Sequence, residues 1–306
     1  MSFTYINPGY GYLLDYAAKS TTLEDAQYNP FGNVAFLNTD ESGCVKLPTG
    51  LAEIYIKCSA YVPSSTYGCT ASAYLRNSKG CFGWSFNDGD FRRKYNWSNE
   101  NVGKFAEKGV RTEELNDFLI YIKSGDSSTG QLAVTVNGKE AFSEALAIDM
   151  SLESSVVLYS NPSYSYSPKA PLSNIIISDS PVACGEKVAL LSVSGTDTNM
   201  TDNQDGSYSA SADGQYCFQF LDVGSLIANY GETSAVKGLY IIGNPAYRTG
   251  VELAKAVACG RKNGVVEEYG SCVLGTKPDA HAIIGGSVSM TLGDLQGMEF
   301  GWKAGV

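Results

Sequence analysis

The chain has one histidine, no Cys-x-x-Cys pair among its eight cysteines, and no apolar run approaching the roughly 18 residues of a membrane helix. Each shortage excludes something. A zinc site has almost nothing to draw on. The lone His281, in Asp279-Ala-His-Ala, has no Cys or Ser constellation near it in sequence and reads as a turn or surface residue, not a general base. Positive charge is also scarce: 22 Lys and Arg against 32 Asp and Glu give a net charge of −10. The deficit is evenly spread, with 14 basic and 19 acidic side chains up to residue 182 and 8 and 13 beyond it. Neither half hides the basic patch that a nucleic-acid partner needs. The segment beginning Met1-Ser-Phe-Thr-Tyr has neither a basic n-region nor an apolar h-region, so a classical signal peptide is not expected. Gly243-Asn-Pro and Gly285-Gly286 lack a phosphate-loop lysine and are expected to be turns.

What is present favours strands. Hydrophobic residues make up 43% and charged residues 18%, with 33 Gly and 20 Tyr, a glycine-punctuated and aromatic-rich profile that can fill a core. Phe118, Ile120 and Ile122 alternate with Leu119, Tyr121 and Lys123, and Leu132, Val134 and Val136 with Ala133 and Thr135, a period of two joined by a glycine-bounded polar turn. Similar runs lie at Asn33–Leu37, Ala52–Tyr61, Ala71–Arg76, Cys81–Phe86, Val102–Phe105, Val156–Tyr159 and Ile175–Ile177. Turn dipeptides such as Asp88-Gly89 and Asn137-Gly138 punctuate them, and no helix of crossover length intervenes. The expectation is an all-β chain, an antiparallel jelly-roll sandwich followed by a second, smaller β-rich domain.

Residues 1–32, rich in Tyr, Asn, Pro and Gly with a helix-compatible stretch at Leu13–Lys19, read as an N-terminal arm. Residues 33–182 form the sandwich and 183–306 the second domain, the boundary falling in Ser178–Gly185. In the second domain Val188–Ser194, Tyr216–Phe220 and Lys237–Ile242 read as strands, Thr201–Gly214 as a short hairpin and Val223–Asn229 as a short helix. Val251–Cys259 fits either a helix or a strand-flanking loop. The pattern Val288, Met290, Leu292 against Met298, Phe300, Trp302 predicts a C-terminal hairpin turning at Gly293–Gly297. The eight cysteines are compatible with buried structural thiols or with one or more disulfides; Cys58 shares a strand face with Ile54 and Ile56.

Ala52-Glu-Ile-Tyr-Ile-Lys-Cys58, Gln131-Leu-Ala-Val-Thr-Val-Asn-Gly138, Val156-Val-Leu-Tyr159 and the closing Pro171-Leu-Ser-Asn-Ile-Ile-Ile-Ser178 resemble the concanavalin A-like lectin and laminin-G-like jelly rolls. The resemblance covers about half of the chain and implies a two-sheet sandwich whose face or rim loops often bind carbohydrate, sometimes through calcium. Its hydrolase members require a Glu-x-Asp-x-x-Glu cluster; here Glu113, Glu114 and Asp117 adjoin a strand and Glu53 stands alone, so glycoside hydrolysis is not expected. The C-terminal segment, with Gly238–Tyr247 and Gly297–Gly305, looks like β-rich modules of virion or prophage-type structural proteins.

Candidate chemistry concentrates in Asn87–Ser98. Asp88, Asp90, Tyr95, Asn96 and Trp97 could form a glycan site, since sugar rings stack on aromatic faces and take hydrogen bonds from carboxylates and amides. The competing reading is a turn at Asp88-Gly89 followed by a strand that buries Trp97. Asp88 and Asp90 also open like a calcium loop, but Arg92, Arg93 and Lys94 would repel a cation, and no cofactor is expected. Tyr164 and Tyr166 form a second aromatic pair, either a recognition loop or an ordinary sheet-edge loop. Asn96-Trp-Ser98 and Asn199-Met-Thr201 match glycosylation acceptors by chance if the chain is not exported. The expected role is a non-enzymatic structural or adhesive subunit of a virion, fibre or surface assembly, made in the cytoplasm and partnered by copies of itself, other subunits or a surface glycan. A soluble bacterial carbohydrate-binding protein is the alternative.

Overall fold

A computed structural model describes residues 4–7, 20–24, 34–38, 43–64, 69–87, 89–162, 170–189, 191–205, 207–243, 247–250, 252–277 and 282–306. The chain divides into two compact units, Met1–Leu190 and Leu191–Val306. The first is an all-β antiparallel sandwich. Its strands are β1 (Thr4–Asn7), β2 (Ser20–Glu24), β3 (Val34–Asn38), β4 (Gly43–Lys46), β5 (Glu53–Val62), β6 (Cys69–Asn77) and β7 (Gly80–Asn87). They continue with β8 (Asp90–Tyr95), β9 (Ser98–Lys104), β10 (Glu114–Lys123), β11 (Gln131–Val136), β12 (Lys139–Ala145), β13 (Ser155–Pro162) and β14 (Leu172–Ser178). One sheet runs β12-β11-β10-β5-β14-β3-β2 with β1 added beside β14, and the other runs β4-β13-β6-β7-β8-β9.

The alternation in the sequence sets the register. Phe118, Ile120 and Ile122 of β10 stand opposite Val136, Val134 and Leu132 of β11, and opposite Cys58, Ile56 and Ile54 of β5. All nine are fully buried. Trp84 of the facing sheet stacks on Phe118 with centroids 4.1 Å apart, and Phe86 and Phe91 extend that aromatic layer. Asn137-Gly138 joins β11 to β12 with φ of 50° and 81°, the mirror-image turn that matches the twist of a hairpin.

Residues 4–7 and 20–24, expected as part of an arm, are strands instead. Thr4–Asn7 pairs with the closing strand β14, so this stretch belongs to the eight-stranded sheet. Leu13–Lys19 lies outside the described residues. Val188 was expected to begin a strand of the second unit; it instead packs with Ile176 and Val182 on the outside of the first unit's sheet. The seven cysteines whose side chains are described are free thiols, and burial pushes that of Cys58 up to about 12.

The second unit contains β15 (Ser192–Thr198), β16 (Thr201–Asp202), β17 (Tyr208–Ser209), β18 (Tyr216–Asp222), α1 (Gly224–Tyr230), β19 (Ala235–Gly243), β20 (Lys255–Lys262), β21 (Val265–Val273), β22 (Ala282–Thr291), α2 (Leu292–Leu295) and β23 (Glu299–Gly305). A five-stranded sheet has the order β15-β18-β23-β20-β21, beside the pairs β16-β17 and β19-β22. Residues 255–259, for which a helix was one option, are strand. The predicted C-terminal hairpin does not form: β22 pairs with β19, whereas β23 pairs with β18 and β20. The intervening segment is the reason. Thr291 accepts from the Asp294 backbone N–H while the Asp294 carboxylate accepts from that of Thr291, a capping box that starts a helical turn and sends the two strands to different sheets.

Candidate functional site

The strand β8 carries the stretch in which a glycan site was expected. Its two ends have different chemistry. At one end Asp90 is paired with Lys104, with Arg92 at 4.0 Å. At the other, Tyr95 meets Ser98 across the turn into β9. A six-residue strand spans about 17 Å, so the structure separates Asp90 from Trp97 instead of gathering them into one site. Asp88, Tyr164 and Tyr166 lie outside the described residues. Among the described residues no three His, Cys, Asp or Glu side chains converge as metal ligands.

Tyr95 is a scaffold residue. Its ring meets Phe82 edge-on at 6.0 Å, and the Arg93 guanidinium lies 5.6 Å from the ring centroid. Asn96 and Trp97 then form a two-residue turn with φ of 46° and 68°. Asparagine tolerates the left-handed region; tryptophan rarely adopts it, because its Cβ crowds the following carbonyl. The Ser98 hydroxyl donates to the Tyr95 carbonyl at 2.7 Å and closes the turn. Beneath it lies Gly80, where a Cβ would fall 2.9 Å from Asn96 Oδ1 and 3.1 Å from Asn96 Cα. Glycine there lets the hairpin tip sit against the β6–β7 turn.

The indole of Trp97 is 63% exposed, which overturns the reading of a buried strand residue. Polar groups surround the turn on which the tip rests. Asn77 Oδ1 accepts from the backbone N–H groups of Lys79 and Gly80, and Lys79 Nζ reaches Asp149 Oδ2 at 2.9 Å. Hydrogen bonds from the Ser151 hydroxyl and Lys79 hold the Asp149 carboxyl down at about 2, so it is ionised at neutral pH. The result is an exposed aromatic plate on a tight turn that rests against the β6–β7 turn, where Lys79 and Asp149 are paired.

The outer face of the six-stranded sheet is a second place to look. One row across it reads Cys44, Val157, Tyr74, Gly83, Lys94 and Asn99. Because Gly83 has no side chain, Lys94 crosses to Tyr74 and places Nζ 4.4 Å from the ring centroid. Burial lowers the Lys94 pKa and raises that of Tyr74 to about 12. Yet Val157 is fully buried and Ser72 and Ser85 nearly so. This face is not an open platform.

Of the carboxylates weighed for hydrolysis, Glu53, Glu114 and Asp117 are engaged with other side chains. Glu53 accepts from the Tyr121 hydroxyl at 2.9 Å, Glu114 pairs with Arg111 at 2.7 Å, and Glu113 sits in a left-handed turn with φ of 59°. Asp117 lies on the outer face of the eight-stranded sheet, where Lys57 and Lys187 both contact it. Lys57, Asn174 and Lys187 went unnoticed in the sequence. The available signal was Lys57 itself, a lysine within Ile54-Tyr-Ile-Lys-Cys58.

No known family model and no curated protein matches this chain. Solved structures with a similar course of strands include an endo-β-1,4-glucuronan lyase from the fungus Trichoderma reesei, 10% identical, covering 56% of this chain and 92% of its own at a TM-score of 0.38. A Caenorhabditis elegans galectin is 7% identical over 47% of this chain and 92% of its own, with a TM-score of 0.32. The receptor-binding domain of botulinum neurotoxin type G is 8% identical over 99% of this chain and 93% of its own, with a TM-score of 0.37. These likenesses concern sheet architecture and extend to no individual side chain. The first unit's two facing antiparallel sheets define a jelly-roll β-sandwich, followed by a smaller β-rich unit.

Proposed function

We propose that this chain is a non-enzymatic adhesive protein that recognises glycans through the β8–β9 tip, with Trp97 as the stacking plate. One observation carries the reading: a large aromatic is held 63% exposed at a φ of 68°, where glycine would be favoured. Such backbone strain costs about 1–3 kcal/mol and collects at binding sites. A fixed indole stacks on a sugar ring with little loss of side-chain freedom. Lys79 and Asp149, exposed on the β6–β7 side of the turn that the tip rests on, are the polar groups a bound sugar could reach. The engagement of Glu53, Glu114 and Asp117 with other side chains supports binding over hydrolysis.

The proposed setting is a virion, fibre or surface assembly, with the first unit akin to the laminin-G-like sandwiches. One feature of the second unit favours it. The outermost strand of the five-stranded sheet, β21, exposes Val265, Val266 and Val273, as an edge that meets another subunit would. A soluble lectin would share the tip chemistry without this self-association.

A glycan array probed with the full chain tests the proposal. Binding to at least one sugar class, lost in Trp97→Ala while the fold persists, is expected. An array that stays blank, or binding that survives the substitution, contradicts it. Sedimentation of the chain beside Val266→Lys separates the two settings, since only an assembling subunit would lose mass on that change.

A further inference from the structure

On the outer face of the eight-stranded sheet, Lys57 is 0% exposed. Its Nζ donates to Ser59 Oγ at 3.0 Å and to the Asn174 backbone carbonyl at 3.2 Å, and lies 3.1 Å from Asp117 Oδ1. The other Asp117 oxygen receives Lys187 Nζ at 2.5 Å. Two ammonium groups therefore share one carboxylate within a largely buried cluster. Burying a charge is costly unless it is matched, and here Asp117 divides its two oxygens between two ammonium groups. Burial accordingly lowers the Lys57 pKa to about 8, against the opposing pull of Asp117 and with Lys187 adding to the drop.

Asn174 completes the arrangement. Ser173 pairs with Ser59 and Ile176 with Lys57, so Asn174 and Ile175 together oppose the single residue Cys58, a bulge with one extra residue. Ile175 turns into the sandwich core, while Asn174, at a φ of 52°, turns its side chain to the polar cluster. Asn174 Nδ2 donates to Ser59 Oγ at 3.0 Å, the same oxygen that takes the bond from Lys57 Nζ. Asn174 Oδ1 accepts from the Val188 backbone N–H. The Ser59 hydroxyl in turn donates to Asp117 Oδ1 at 2.5 Å. An amine, an amide with a polarised carbonyl, a hydroxyl relay and a carboxylate base are thus joined in one hydrogen-bonded network, buried at Lys57, Ser59 and Asn174 and partly open to solvent at Asp117.

We propose that Lys57 and Asn174 become joined by an intramolecular isopeptide bond between Lys57 Nζ and Asn174 Cγ. Asp117 takes a proton from the Lys57 ammonium, and the freed electron pair attacks Cγ. The negative charge developing on Oδ1 is met by the Val188 N–H, as in an oxyanion hole. A second proton passes from Nζ through Ser59 Oγ to Nδ2, the Cγ–Nδ2 bond breaks, and ammonia leaves. Ammonia then removes the proton held by Asp117, departing as ammonium. One C–N bond forms and one breaks, with no oxidant or cofactor. The product no longer carries the Lys57 charge in the interior and keeps the pair Asp117–Lys187. The Asn174 backbone carbonyl and the shared Ser59 Oγ confine the amine and the amide to one cluster, and such confinement raises effective molarity above that in solution.

The bond would staple β5 to β14 across 117 residues of chain, restricting the unfolded state as a disulfide does. The direct test is the intact mass of the full chain after folding and then denaturation, followed by a peptide map. The expected result is a mass short by one ammonia and a linked pair of peptides containing Lys57 and Asn174. Succinimide formation at any asparagine also releases ammonia, so the linked pair is the deciding signal. A full sequence mass with the two peptides recovered separately would overturn the proposal. Loss of one water would also overturn it, making Asp117 the acceptor. Asp117→Asn, checked for its fold by circular dichroism, is expected to retain the full mass; undiminished linkage in that variant would remove Asp117 from the reaction.

Discussion

The two units bury their apolar residues to very different depths. In the first, one continuous cluster runs from Val45 to Ile177, with Trp84, Phe86, Phe91 and Phe118 fully enclosed between two large sheets. In the second, the main described cluster has four buried members, Val223, Leu292, Leu295 and Phe300, ringed by partly exposed residues such as Leu221, Tyr269 and Met290. Apolar burial is the largest favourable term in folding, at roughly 25 cal/mol per Å². The first unit can therefore carry a strained turn such as Asn96–Trp97, whereas the second relies on caps and ion pairs. Arg261 illustrates this reliance: it pairs with both Asp197 and Glu299 and lies 4.5 Å from the Phe218 ring centroid.

The largest expected effect is on the deep core. Trp84→Ala should cost about 3–5 kcal/mol, because the cavity beside Phe118 cannot collapse between two sheets. Calorimetry should show the loss in the first unit's transition. Phe300→Ala, at a shallower site, should cost nearer about 3 kcal/mol and move only the second unit's transition. Equal losses would break the contrast.

A smaller effect is expected at the α2 cap. Thr291→Ala removes half of the capping box and should lower the second unit's stability by about 1 kcal/mol, read as a shift in its denaturant midpoint. A loss several times larger would mean that this turn, rather than the Phe300 cluster, organises the unit.

Acid should sharpen the comparison further. In the first unit, hydrogen bonds from Ser128 and Thr129 hold Asp126 at about 2, and those from Ser151 and Lys79 do the same for Asp149, against an ordinary value of 3.8. Burial pushes Asp117 up, but Lys57 and the hydrogen bonds from Lys187 and Ser59 more than reverse it. A folded pKa below the unfolded one contributes stability that is present above the unfolded value and lost as pH falls through the folded value. The first unit should therefore keep losing stability between about pH 4 and pH 2. Hydrogen exchange resolved by peptide and measured across that range should show its loops at 124–130 and 146–151 opening; flat protection there would contradict the assignment.

Much of the sandwich was legible in the sequence because its strands alternate with a period of two: β5, β10 and β11 follow directly from Ile54–Cys58, Phe118–Ile122 and Leu132–Val136. The tip was misleading for the same reason. Phe91, Arg93, Tyr95 and Trp97 are in phase, so alternation alone places Trp97 with the core, but the turn at Asn96–Trp97 reverses the chain first. The C-terminal hairpin failed because Thr291 and Asp294 cap a helix where a strand turn was expected. Of the Lys57 cluster only Lys57 itself, a lysine within a strand-like apolar run, left a mark in the sequence. Its partners Asp117, Asn174 and Lys187 are distant in sequence and meet only when β10, the β14 bulge and the following segment come together.

The most direct test of the account uses Trp97→Gly in the full chain, measured for thermal stability and glycan binding together. Glycine adopts a φ near 68° without strain, so the substitution should stabilise the first unit by about 1 kcal/mol, raising its melting temperature by about 2–4 °C, while binding on the array disappears. A lowered melting temperature with binding unchanged would show that the indole serves packing and that the tip is not the recognition site.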